Sequence, residues 1–317
     1  MTQPASATRI LFAARPPRWD DYRDHLPAAL AARGVAHEIV QHGDPHDPSS
    51  IDWVVYAPNS ELQDFRPYNG LKGVLNLWAG VEDVEGNRTL TAPLARMVDE
   101  GLTQGMVEWV TGHVLRHHLG MDAHIRSSRG WDDRAPPLAG DRPVAMLGMG
   151  ELGSACARAL VALGFPVTGW SRSPKDIPGV RSLTGEAGLQ TALSEAQITV
   201  LLTPHTRSTE NLMNAGRFAL MPPGAVLLNP GRGALVEDAA LLAALDRTLG
   251  HATLDTFRVE PLPEDHPFRA HPKITITPHI ASATRPATAA QVIAENVRRG
   301  EAGLPLLHLV DRSEALA

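Results

Sequence analysis

Gly148, Gly150 and Gly153 stand as G-x-G-x-x-G in LGMGELG, directly after the apolar run PVAML and at the head of ELGSACARALVALGF. Strand, glycine turn and helix together form the context in which this spacing holds the pyrophosphate of a dinucleotide. Gly148 permits the tight turn, Gly150 lets the backbone approach the phosphates, and Gly153 lets the helix pack close to the strand. Around them, Met149, Glu151 and Leu152 complete a helix start whose free N–H groups and dipole favour an anion. The alternative is a packing turn with no ligand.

The following run, PVTGW, ends in Trp170-Ser171-Arg172-Ser173, with Lys175 just beyond. An NAD site presents a carboxylate at this strand end to the ribose 2′-OH, and that carboxylate would repel a 2′-phosphate carrying roughly −1.5 to −2 charges. Here the acid is replaced by two hydroxyls, a guanidinium and an ammonium, which can surround a phosphate. Arginine adds a fork of donors and a face that stacks on adenine. Each charge-assisted hydrogen bond contributes about 1.5–3 kcal/mol. NADP(H) is therefore expected over NAD(H), with Arg172 as the main selector. A solvated basic loop is the alternative.

Three further segments end on residues that do chemistry. Arg232 lies between two glycines in LLNPGRGALVED, Glu260 precedes Pro261 in TLDTFRVEPLP, and His279 follows Pro278 in ITITPHIASAT. Alone, Arg232 reads as a structural anchor, Glu260 as a turn residue and His279 as a packed or surface histidine. Each nevertheless follows a short apolar run, and in open α/β sheets ligands bind beyond the carboxyl ends of the strands. An arginine, a glutamate and a histidine delivered to such ends can meet in one cleft.

Positioning them requires a parallel sheet. The 317 residues suffice for two domains. The runs RILFAA, AHEIV, IDWVVYA and GVLNLWA read as strands, and WDDYRDHLPAALAARG as one helix closed by Gly34. From residue 143, the runs PVAML, PVTGW, ITVLLTP, AVLLNPG, HATLDTF and ITITPH are short, apolar and separated by helical material, as in strands buried on both faces. TQGMVEWVTGHVLRHHLG is a long helix ending at Gly120. A weakly periodic segment of about twenty residues follows it, of the kind that packs on something else. Beyond 284 an amphipathic helix, RPATAAQVIAENVRRGEAG, can return to the first domain. Two α/β domains with a cleft between them are expected: 1–98 with 284–317 for substrate, flavodoxin-like, and 99–283 for the dinucleotide, Rossmann-like.

Composition excludes other classes. A net charge of −6, with no basic block, argues against nucleic acid or an anionic membrane as partner. No apolar run approaches the roughly 20 residues of a spanning helix. ILFAA is too short for a signal-peptide core. The single Cys156 cannot form an intrachain disulfide and reads as core, and a cytoplasmic location is expected. The His and Asp residues of QHGDPHDPSS sit among prolines and read as an exposed loop, so no metal is expected.

With these motifs in this order, the chain resembles the D-2-hydroxyacid dehydrogenases, and among them the glyoxylate/hydroxypyruvate reductase A group. LGMGELG, LLNPGRGALVEDAALLAAL, LDTFRVEPLP, ITITPHIASATRP and LWAGVEDV carry the resemblance, which covers nearly the whole chain. It implies NADPH-dependent reduction of glyoxylate or hydroxypyruvate to the D-2-hydroxy acid. Arg232 would bind the substrate carboxylate and keto oxygen, His279 would donate a proton, and Glu260 would orient its ring. The backbone of Ala79, Gly80 and Val81 would bind the substrate carboxylate. Asp255 would bond the nicotinamide carboxamide. Thr203, Pro204, Thr209, Pro230, Gly231 and His279 would contact the cofactor. Trp78 and Tyr56 could wall the pocket, although buried aromatics are more often core. The resemblance further implies a homodimer through the cofactor domain and the 121–141 arm, with Trp131 in that arm. Pro230-Gly231 and Glu82 depart from the usual pattern and leave the substrate open. A larger branched 2-keto acid is one rival. A dinucleotide-sensing interaction protein of the same fold is another.

Overall fold

The computed structural model describes residues 7–125 and 133–316. Trp131 and part of the 121–141 arm lie outside them. The chain divides into two units, Met1–Leu102 with Thr284–Ala317, and Thr103–Ala283.

The first unit is built on strands β1 (Thr8–Ala13), β2 (His37–Gln41), β3 (Trp53–Tyr56), β4 (Gly73–Asn76) and β5 (Leu94–Ala95). They are ordered β2-β1-β3-β4-β5 and are all parallel. The period-two alternation of β1 divides its side chains between two cores. Phe12 packs with Tyr22, Leu26, Trp53, Ile293 and Val297 on one face, while Leu11 packs with Val54, Tyr56, Phe65 and Val74 on the other. Ile293 and Val297 come from the helix Pro286–Glu301, which packs into this unit. The expected first helix is two helices, Arg18–Tyr22 and His25–Ala32. Pro27 explains the break, because it has no N–H and its ring clashes with the carbonyl four residues earlier. Gly34 ends the second helix at φ +71°.

The second unit carries β6 (Val144–Leu147), β7 (Val167–Trp170), β8 (Val180–Leu183), β9 (Ile198–Leu201), β10 (Val226–Asn229), β11 (His251–Leu254) and β12 (Ile274–Ile276). The order is β12-β11-β10-β9-β6-β7-β8, again wholly parallel. This is the doubly wound arrangement, with its reversal between β6 and β9. The central strands β6, β9 and β10 are buried throughout. Sequence reading missed β8, an edge strand whose Arg181 and Ser182 break any apolar run.

The helix Glu100–His118 delivers three histidines to this unit. His117 Nε2 pairs with Thr253 Oγ1 at 2.9 Å, and its ring lies 5.0 Å from that of His251. Burial, then His251 and Arg116, pushes the His117 imidazole down to about 3. The folded protein thus refuses a proton that the unfolded chain accepts below about 6.5. Stability from this group is complete above that pH and is lost as pH falls toward 3, by up to about 1.4 kcal/mol per unit. Chemical denaturation of wild type and His117→Gln at pH 7 and 4.5 checks this. The expected result is a shallower pH dependence in the variant, and equal dependences would contradict it.

Candidate active site

Strand register collects the second unit's chemistry. Leu147 lies beside Trp170 and Leu201, and Leu254 beside Asn229 and Ile276. The turns that follow these aligned ends carry the glycine motif, Arg172, Thr203, Arg232, Asp255, Glu260 and His279.

Gly148 has φ +109°, and a side chain there would stand 2.4 Å from the Leu202 carbonyl carbon. A Cβ on Gly153 would stand 1.8 Å from the Gly148 carbonyl oxygen, so the helix Glu151–Ala162 can pack this closely only on glycine. Gly150 caps that helix and differs from both, because a Cβ there would meet nothing within 4 Å. The space beside the helix start is therefore open where phosphate would approach. Nearby, the buried Thr203 hydroxyl has no hydrogen-bond partner among the described residues. An open cradle and an orphaned hydroxyl fit a dinucleotide. Thr209 Oγ1 instead donates to the Pro204 carbonyl at 2.7 Å and shapes its own loop.

Arg172, Ser173 and Lys175 are exposed. Ser171 Oγ donates to the Ser173 carbonyl at 2.8 Å, and the Lys175 N–H donates to Ser182 Oγ at 2.9 Å. These contacts fix the backbone of the segment and leave the Arg172 guanidinium in solvent.

Arg232 sits on a turn clamped by Asn229, which sequence reading missed. The Asn229 amide donates to the Arg232 carbonyl at 2.9 Å, and its oxygen accepts from the Gly231 N–H at 3.2 Å. Arg232 Nη1 donates to the Gly231 carbonyl at 2.9 Å. The next residue, Gly233, presses on a neighbouring turn, where its Cβ would stand 2.0 Å from the Phe257 carbonyl carbon. The arginine turn and the turn leading to Glu260 are thus in direct contact.

Glu260 and His279 meet. Glu260 Oε2 lies 2.6 Å from His279 Nδ1, while Oε1 accepts from the Phe257 N–H at 2.8 Å. The carboxylate is anchored at one oxygen and orients the ring with the other, so Nδ1–H is the donor and Nε2 is left for another partner. The side chains are 51% and 34% exposed, so the pair is formed and still accessible. His279 has φ +54°, a left-handed conformation that costs a non-glycine residue about 1 kcal/mol or more. Asp255 offsets that cost. Its wholly buried carboxylate accepts from Thr277 Oγ1 at 2.5 Å and from the Ile280 and Ala281 N–H groups, each at 2.9 Å. The His279 N–H also donates to the Asp255 carbonyl at 2.9 Å. Asp255 therefore spends both carboxylate oxygens on the turn that presents His279.

In the first unit, Asn76 repeats the Asn229 device. Its amide donates to the carbonyls of Trp78 and Gly80 at 2.9 and 2.8 Å, and so shapes the Ala79-Gly80-Val81 turn. An asparagine ending an apolar strand is the signal for both clamps, since Asn is disfavoured within strands. Tyr56, weighed as pocket wall or core, is core: it is 1% exposed and packs edge-on against Phe65. Cys156 is fully buried, and burial pushes its thiol up to about 12. No group of three or more His, Cys, Asp or Glu residues among the described residues is arranged to hold a metal ion. No described helix is long and apolar enough to cross a membrane.

The sequence profile of the D-isomer specific 2-hydroxyacid dehydrogenase NAD binding domain matches residues 110–281. The chain belongs to that family. It is 38% identical over 283 residues to glyoxylate/hydroxypyruvate reductase A of Serratia proteamaculans, covering 86% of this chain and 90% of that one. It is also 39% identical over 260 residues to the protein of that name from Photorhabdus laumondii, covering 79% and 82%. Among solved structures it is similar to a D-isomer specific 2-hydroxyacid dehydrogenase from Xanthobacter autotrophicus in complex with NADPH and MES. The TM-score is 0.90 at 36% identity, covering 98% of this chain and all of that one. It is similar too to the NADPH-dependent glyoxylate/hydroxypyruvate reductase of Sinorhizobium meliloti in complex with NADP and sulfate, with a TM-score of 0.85 at 34% identity, covering 97% and 99%.

Proposed function

We propose that this enzyme reduces small 2-keto acids, glyoxylate or hydroxypyruvate, to the D-2-hydroxy acid with NADPH. The observation that carries the reading is the accessible His279–Glu260 pair, formed beside the turn that bears Arg232. Bound NADPH supplies the hydride that the keto carbon receives. Arg232 pairs with the substrate carboxylate and keto oxygen through charged hydrogen bonds. His279 Nε2 gives its proton to that oxygen as the carbonyl becomes a hydroxyl. Glu260 keeps Nδ1 occupied, so that Nε2 faces the substrate. The backbone N–H groups of Ala79, Gly80 and Val81 add donors for the carboxylate. On the cofactor side, Met149, Gly150, Glu151 and Leu152 would hold the pyrophosphate, and Ser171, Arg172, Ser173 and Lys175 would hold the 2′-phosphate. Thr203, Pro204, Pro230 and Gly231 line the remaining cofactor contacts. Support comes from the open Gly150 cradle, the unpaired Thr203 hydroxyl and the NADP(H) complexes of two similar structures.

His279→Gln keeps the size of the side chain but removes the transferable proton. It is expected to lower kcat about 10²–10⁴-fold on glyoxylate while NADPH binding, read by fluorescence titration, stays within about twofold. A kcat within about threefold of wild type would remove His279 from the chemistry.

Arg172 selects the cofactor. Wild type is expected to show a higher kcat/KM with NADPH than with NADH, and Arg172→Asp is expected to reverse the order, because each lost charged contact costs about tenfold or more. A preference unchanged by the substitution would contradict this assignment.

The protein works as a homodimer in a cytoplasmic setting. Leu119, Met121, Ile125 and Leu138 are 36%, 38%, 75% and 78% exposed and fall within twenty residues of one another. Apolar side chains exposed along this stretch of the chain support its part in an interface. Sedimentation velocity is expected to give about twice the 34.1 kDa chain mass, and a monomer at micromolar concentration would refute the dimer.

A further inference from the structure

Arg258 has no part in the chemistry above, yet its guanidinium joins segments that carry residues of the site. It follows Phe257, whose N–H holds Glu260, and its backbone nitrogen would stand 2.4 Å from a Cβ on Gly233. Its guanidinium reaches two other segments. Nη1 donates to Glu210 Oε1 at 2.7 Å, and Nη2 donates to Asn211 Oδ1. Nη2 also donates to the carbonyls of Ala234 and Val236 at 3.1 and 2.8 Å, and Nε donates to Val236 at 3.2 Å. Asp238 adds a carboxylate at 3.8 Å.

These partners are not interchangeable. Ala234 and Val236 belong to the turn that begins at Arg232. Glu210 and Asn211 close the loop that starts at Thr203, and the Asn211 N–H donates to the same Ala234 carbonyl at 2.9 Å. Asn211 holds φ +51°, so its backbone depends on such partners. Glu210 is bonded in turn by His205, within the same loop, and Arg258 holds the Glu210 carboxyl below its ordinary range. One planar, rigid fork therefore fastens the turn of Arg232 and the loop of Thr203 to the segment that carries Glu260. Lysine, a single point charge, cannot reproduce that set.

We propose that Arg258 is a positioning residue with two separable branches: its bonds to the 234 and 236 carbonyls set the substrate-binding Arg232, and its bonds to Glu210 and Asn211 set the cofactor loop. This rests on Arg232 binding the keto-acid carboxylate.

The test measures the KM for glyoxylate, the Kd for NADPH by fluorescence titration and the melting temperature for wild type, Arg258→Met and Arg258→Lys. Arg258→Met is expected to raise both the glyoxylate KM and the NADPH Kd about tenfold, the scale of a lost charged contact. Arg258→Lys keeps the ion pair to Glu210 alone, so it returns the NADPH Kd to within about twofold of wild type and leaves the glyoxylate KM raised. A merely structural arginine would move the two constants together. The inference is overturned if the lysine variant restores both or neither, or if Arg258→Met lowers only the melting temperature. Should Arg258→Met fail to fold, Arg258→Lys against wild type decides alone, through a raised KM at unchanged Kd. If wild type binds NADPH but turns over neither glyoxylate nor hydroxypyruvate, the functional reading fails, and the two Kd values still test the cofactor-loop branch.

Discussion

A buried carboxylate holds the candidate active site in shape. Asp255 lies out of water at the end of β11 and accepts three hydrogen bonds from the turn that follows β12. A charge so placed is tolerated only when its lone pairs are used. The arrangement therefore has little freedom: the turn must offer the Thr277 hydroxyl and the N–H groups of Ile280 and Ala281 together. His279, lying between those donors, is thereby pressed into the left-handed conformation that points its ring at Glu260. The energy of a buried hydrogen-bonded charge is used to fix the direction of an imidazole.

Around that constraint, the site is organised by backbone rather than by side-chain packing. Asn229 folds its amide over the arginine turn. Within the first unit, taken by itself, the Asn76 amide donates to the carbonyls of Trp78 and Gly80. Gly153 and Gly233 mark places where two main chains touch with no room for a side chain. Such contacts are stiff, because neither side can yield by changing a rotamer. A parallel sheet suits this design. Its loops leave from aligned strand ends, so the turn after β10 touches the segment after β11 at Gly233 and Phe257, and Glu260 after β11 meets His279 after β12.

The sequence made the local devices readable. Gly148 and Gly153 were legible in the motif because each answers a separate steric demand. Most strands of both sheets were legible as short apolar runs, while β8 was hidden by its polar edge residues and β5 by having only two residues. The split of the first helix was written in Pro27, but the surrounding helix formers outweighed it. What stayed hidden was long-range. The engagement of Asp255 with residues 22 to 26 positions ahead has no local signature, and neither does the reach of Arg258 back to residues 210 and 211. Tyr56 could be read as pocket wall or as core, and burial places it in the core.

The central claim is that a carboxylate-fixed histidine and a clamped arginine act on one small acid. The most direct measurement is a crystal structure with NADPH and oxalate, a two-carbon mimic of the substrate. The account predicts oxalate oxygens within hydrogen-bonding distance of both the Arg232 guanidinium and His279 Nε2, with Nδ1 still held by Glu260. Oxalate bound away from either residue, or His279 swung off Glu260 in the complex, would contradict it.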